Sequence, residues 1–246
     1  MGCGLHIGVV FAALVAVLVA AVSGSSGRPA PSGLARRDTI DLPLHEVAAR
    51  GTPSRTIAVL LSGDGGWAAI DRELSDSLAA HGIAVVGLDS RTYFSTQREP
   101  DGASRDIARV AHRYLARFAA DSLILIGYSR GADVLPFLST RLPSDLLVRV
   151  RLVALLGIAP NANFKFHLID LISNKKRKDD LMTVPEVEKL AASGTRVLCV
   201  YGLDESESAC RSLVRVHGVT VAAMPGGHHF DKAYGVIGSR LLDAAR

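Results

Sequence analysis

Ser122-Leu123-Ile124-Leu125-Ile126-Gly127-Tyr128-Ser129-Arg130-Gly131-Ala132-Asp133-Val134-Leu135-Pro136-Phe137 joins an apolar, β-branched run to a Gly-x-Ser-x-Gly pentapeptide and then to an apolar helical pattern. Strand, tight turn and helix, in that order, are what a nucleophile elbow requires, because the turn lifts a serine off the carboxyl edge of a sheet. Glycines at 127 and 131 fit this context, since a Cβ at either position would strike a neighbouring strand or helix. Ser129 is therefore the expected nucleophile. The helix starts directly after it, so the amide of Arg130 is expected to point to where an oxyanion would form.

The flanking chain alternates buried strands with helical patterns, which predicts an α/β-hydrolase fold: a mostly parallel central sheet, helices on both faces and a short lid insertion. Thr39 to Ala48 reads as an edge strand. Arg55 to Ser62 reads as a buried strand ending at Gly63-Asp64-Gly65-Gly66-Trp67, followed by a helix from Ala68 to Ala80. In this fold the loop after that strand supplies a second oxyanion amide, here from Asp64 or Gly65. Ile83 to Leu88 is the next strand, and the loop Asp89 to Phe94 follows its carboxyl end, where ligand contacts arise. Asp64, Trp67, Tyr93 and Tyr128 are the expected substrate-binding residues. The carboxylate of Asp64, if it faces the site, favours a substrate bearing an ammonium group.

A helix over Arg105 to Phe118 carries Ile107, Val110, Ala111, Tyr114, Leu115 and Phe118 at helical spacing. A strand over Arg151 to Ile158 follows the elbow helix. Residues 159–184 then break the alternation and read as a lid, with Phe164, Phe166, His167 and Leu168 ahead of the basic run Lys175 to Lys178. That run is a solvated loop or a contact with an anionic bilayer. A helix from Pro185 to Ala192 and a strand ending at Tyr201 lead to Asp204, the expected acid, with Glu205 and Glu207 as alternatives. After a last strand, Val219 to Met224, comes Pro225-Gly226-Gly227-His228-His229-Phe230. His228 is preferred as the base and His229 is the alternative. The order Ser129, Asp204, His228 is that of α/β-hydrolases. No metal set and no cofactor motif are visible.

Among the 246 residues, 48% are hydrophobic and 21% charged, and the formal net charge is +4. That suits one folded domain and excludes a disordered chain or a polytopic membrane protein. The mild basicity comes without a nucleic-acid-binding signature, so nucleic acid is not an expected partner. Residues 1–27 contain the apolar stretch Ile7 to Val22 and read as a signal peptide or membrane anchor, residues 28–38 as a linker and 39–246 as the folded domain. Cys199 and Cys210 are consistent with export to an oxidising compartment. They are either bridged, fastening the acid loop to its strand, or two buried thiols.

Leu61-Ser62-Gly63-Asp64-Gly65-Gly66-Trp67, Gly127-Tyr128-Ser129-Arg130-Gly131-Ala132-Asp133-Val134, Pro185-Glu186-Val187, Tyr201-Gly202 with Asp204 and Cys210, and Pro225 to Phe230 together resemble the bacterial VirJ/AcvB virulence-protein family. The resemblance runs from about Thr56 to Phe230. It implies a periplasmic α/β-hydrolase that cleaves the ester of aminoacyl-phosphatidylglycerol, notably lysyl-phosphatidylglycerol. It also implies contact with anionic inner-membrane lipid and an association with type IV secretion-system components.

Overall fold

The computed structural model describes residues 40–165 and 180–246, together with Met1. Seven strands form one sheet: β1 (Leu44–Val47), β2 (Thr56–Leu61), β3 (Ala84–Leu88), β4 (Ser122–Tyr128), β5 (Val150–Leu156), β8 (Val197–Gly202) and β9 (Val219–Met224). Their order is β1-β3-β2-β4-β5-β8-β9. β1 runs antiparallel at one edge, pairing His45 with Gly87, and the other neighbours are parallel, as in Leu61 with Gly127. β2 to β5 read as continuous apolar runs because both of their faces are covered.

The two faces are covered by different helices. α3 (Pro100–Arg117), α4 (Arg130–Ser139) and α6 (Thr183–Ala192) bury Ile107, Val134, Leu135 and Leu190 on one side. α1 (Ala69–Ala80) and α7 (Tyr234–Ala245) bury Leu74, Leu78, Ile237 and Leu241 on the other. The edge strand is tied to the first set, because Glu46 accepts hydrogen bonds from Tyr114 and from Arg117, the latter at 2.7 Å.

Two short helices, α2 (Ser90–Tyr93) and α5 (Ser144–Leu147), complete the connections. A two-residue pairing of β6 (Asn161–Ala162) with β7 (Leu181–Met182) forms the neck of the insertion after β5. Phe166, His167, Leu168 and the basic run from Lys175 lie outside the described residues, as do the apolar N-terminal stretch and its linker. Among the described residues no helix is long and apolar enough to cross a membrane.

Candidate active site

β4 ends at Tyr128 and α4 begins at Arg130, leaving Ser129 alone in the turn at φ 53° and ψ −122°. A left-handed serine is strained, and the neighbouring packing holds it there. A Cβ on Gly131 would stand 2.1 Å from the carbonyl oxygen of Leu61 on β2, so only glycine lets α4 sit this close to the sheet. The strain aims Oγ away from the sheet edge, toward the loop after β9.

That loop delivers His228. Its Nε2 lies 2.8 Å from Ser129 Oγ, and its Nδ1 lies 2.5 Å from Oε1 of Glu205. The other carboxylate oxygen of Glu205 accepts the Gly202 amide at 2.6 Å, which fixes the acid at the end of β8. Burial pushes Glu205 up, but the His228 and Gly202 hydrogen bonds hold it below the usual carboxylate range. Burial pulls His228 down, yet the bond and charge of Glu205 outweigh it and raise the imidazole above its ordinary value. The arrangement can take a proton from Ser129 and stabilise the imidazolium that results. Gly157, at φ +66°, makes room for the ring, since a Cβ there would lie 2.8 Å from His228 Cε1.

The carboxylate that meets His228 is that of Glu205, one of the two alternatives, and not that of Asp204. Asp204 is exposed, its amide bonded to the Gly226 carbonyl, and its side chain makes no contact with His228. The loop turns one residue later than expected. His229 is not a base for Ser129 either: its Nδ1 meets the Tyr128 hydroxyl at 2.9 Å.

Ser129, His228 and Glu205 open into a cleft of about 1030 Å³. Asp133, Asn163, Asp180, Asp204 and Glu207 line it together with Ile70, Lys232 and Tyr234. Asp64, Gly65 and Tyr128 line it as expected. Trp67 does not: its ring stacks on His45 at 4.8 Å, over the edge of the sheet. Tyr93 does not either. It is 1% exposed and donates to Asp106 at 2.6 Å, because α2 turns its ring into the core.

A family model described as bacterial virulence protein (VirJ) matches residues 55–246. The chain belongs to the VirJ family. No curated protein matches it significantly. Among solved structures, this VirJ chain is similar to Est1E from Butyrivibrio proteoclasticus with ferulic acid bound, at 12% identity and TM-score 0.59, covering 82% of this chain and 93% of that one. It is also similar to the thioesterase domain from the curacin biosynthetic pathway, at 14% identity, TM-score 0.53 and coverage of 81% and 94%. Proline iminopeptidase of Mycobacterium smegmatis matches at 11% identity, TM-score 0.52 and coverage of 82% and 94%. At these identities the likeness is one of fold, and the fold is the α/β-hydrolase fold.

Two features of the VirJ site go beyond the sequence reading. Arg130 was expected to matter through its amide, but its side chain is buried as well. It pairs with Asp64 through Nε and, at 3.3 Å, through Nη2, and Nη1 donates to the Asn163 carbonyl at 2.7 Å. One residue after the nucleophile, it thus ties the candidate oxyanion turn to the neck of the insertion. Asp133, one turn into α4, accepts the Ala159 amide at 2.7 Å, and burial pushes its carboxyl up to about 7. The signal for both was present in the run Ser-Arg-Gly-Ala-Asp, where two charges stand in an otherwise apolar helix start.

Cys199 and Cys210 form a disulfide that joins β8 to the 3-10 turn Ala209–Leu213 and encloses the Glu205 loop. By loop entropy such a bridge stabilises the fold by about 2–3 kcal/mol. Among the described residues no group of three or more His, Cys, Asp and Glu is placed to hold a metal ion.

Proposed function

We propose that this protein is a serine ester hydrolase that cleaves the aminoacyl ester of aminoacyl-phosphatidylglycerol. The observation that carries the hydrolase reading is the relay from Ser129 Oγ through His228 to Glu205, with separations of 2.8 and 2.5 Å. His228 accepts the Ser129 proton as Oγ attacks the ester carbonyl, and Glu205 stabilises the imidazolium. The amides of Arg130 and of Asp64 or Gly65 receive the oxyanion, each worth about 3 kcal/mol when well aimed. His228 then protonates the departing glycerol oxygen, and water, activated by the same imidazole, releases the amino acid from Ser129.

The substrate class is supported by how charge is distributed in the cleft. Arg130 neutralises Asp64, so Asp64 is a weaker ammonium site than the sequence suggested. Asp204 and Glu207 line the same cleft without an ion-pair partner among the described residues, and they suit a cationic aminoacyl group. Lys232, which lines the same cleft, suits the phosphate of the alcohol portion. The disulfide supports an oxidising compartment, hence the periplasm. Contact with anionic inner-membrane lipid and with secretion components belongs to the same proposal. A role as a scaffold alone is disfavoured, because a scaffold has no physical need for a strained serine aligned with a histidine and an acid.

The test is release of free lysine from lysyl-phosphatidylglycerol in mixed micelles, by the wild type and by Ser129→Ala. Release by the first alone supports the proposal. Ser129-dependent cleavage of short acyl esters without lysine release keeps the hydrolase and removes the lipid substrate. No cleavage of any ester moves the protein to the scaffold role.

A further inference from the structure

At the end of the sheet opposite Ser129, four arginines stand at the starts of β2, β5 and β8. Arg55 precedes β2, Arg149 and Arg151 flank the start of β5, and Arg196 precedes β8. Together with Asp121, Ser122, Val148, Val150 and Gly194, the last three of these arginines line a groove of about 370 Å³. The groove is held by a continuous network. Arg55 Nε donates to Asp121 Oδ2 at 2.7 Å, and Ser122 Oγ donates to Asp121 Oδ1 at 2.9 Å. Arg151 Nε in turn donates to Ser122 Oγ at 3.1 Å, and Arg196 Nε donates to the Arg151 carbonyl at 3.1 Å.

Several arginines elsewhere meet carboxylates, as Arg50 does Asp76, Arg117 does Glu46 and Arg141 does Glu186, while Arg72, Arg98 and Arg211 bond backbone carbonyls singly rather than as a cluster. Here the single carboxylate, Asp121, is taken by Arg55, whose hydrogen bond holds it below the usual carboxylate range. Arg149, Arg151 and Arg196 form no salt bridge among the described residues, Arg151 acting on Asp121 through its charge alone, and their Nε atoms are engaged with a carbonyl or a hydroxyl. Three exposed guanidinium groups lining one groove raise its positive potential and favour an anion there. Guanidinium forks match phosphate oxygens in pairs.

We propose that this groove binds a phosphate group, carried either by a free phosphorylated compound or by a lipid headgroup. β4 alone separates its Ser122 from Ser129, and at about 3.3 Å per residue that is roughly 20 Å. The bound phosphate is therefore not the ester being cleaved. This inference is independent of the ester-hydrolase reading.

The experiment is calorimetric titration of the full chain with pyrophosphate and, separately, with glycerophosphoglycerol, in the wild type, Arg149→Gln and Arg151→Gln. Saturable binding of at least one probe, weakened about tenfold by each substitution, is expected. Preference for pyrophosphate assigns the site to a free phosphorylated compound, and comparable binding of glycerophosphoglycerol assigns it to a headgroup. Arg149 donates only to the Asp145 carbonyl, so Arg149→Gln decides the matter if Arg151→Gln does not fold. Far-UV circular dichroism and the melting temperature of each variant serve as the check that the fold is kept. Binding of neither probe, binding that both substitutions leave unchanged, or binding of an oligonucleotide but of neither probe would each overturn the proposal.

Discussion

Glu205 Oε1 lies 2.5 Å from His228 Nδ1, while the adjacent Asp204 points to solvent. Two acids one residue apart thus have unequal consequences for catalysis. Glu205→Gln removes the charge that holds the histidine tautomer and should lower kcat by roughly 10³-fold or more. Asp204→Asn should leave kcat on a short acyl ester within about twofold and, through the cleft charge, raise KM for a cationic ester. Steady-state kinetics on a neutral and a cationic ester separate the two. Equal losses in both variants would return the acid role to the loop as a whole.

The pH profile carries a sign that follows from the same contact. His228 must be neutral to accept the Ser129 proton, and its value is raised in the folded protein. The acid limb of kcat/KM should therefore fall above the ordinary imidazole value of about 6.5. In Glu205→Gln the residual activity should show that limb moved to lower pH, because the stabilising carboxylate is gone while burial remains. A limb that stays in place would mean that another group titrates.

Arg130 and Asp64 form a largely buried pair, with side-chain exposures of 7% and 23%. Arg130→Met strands the Asp64 carboxylate and two backbone carbonyls, and should destabilise the fold by about 3 kcal/mol in chemical denaturation. Combining it with Asp64→Asn should recover part of that loss. Additive effects in the double variant would show that the pair contributes no coupling.

Asp71 shapes stability instead of chemistry. Its Oδ2 accepts the Ala68 amide at 2.9 Å at the start of α1, and its Oδ1 is buried without a partner. Burial raises its value from 3.8 to about 7. The unfolded chain thus ionises this group first, and folding free energy declines as pH rises from about 4 to about 7, then levels off. Asp71→Asn lacks that decline, so its melting temperature should exceed that of the wild type at pH 8 and the gap should narrow toward pH 4. Thermal melts of both proteins across this range are the measurement, and a gap independent of pH would contradict the assignment.

The inner part of the sheet was legible in the sequence because those strands are buried on both faces and therefore carry unbroken apolar runs, from residues 57–61 of β2 to residues 152–156 of β5. The nucleophile was legible because its glycines answer a steric demand that no other residue meets. The acid was not, since Asp204, Glu205 and Glu207 share one loop and only the Gly202 amide, bonded back to Glu205, selects among them. Tyr93 and Trp67 misled for a common reason. A residue just past a strand's carboxyl end faces the site only if the next turn leaves it there. Here Asp89 caps α2 and rotates Tyr93 inward, while His45 draws Trp67 over the edge strand.

Ser129, Glu205 and His228 leave the sheet after β4, β8 and β9, and His228 is separated from the serine by 99 residues. A chain still emerging from a ribosome can fold its elbow early, but it has no His228 to accept the proton until the ninth strand has been laid down. Reactivity is therefore withheld from every incomplete form of the protein. A hydrolase assembled in this order would pass through its own synthesis chemically silent, and would become active only when its last strand docks.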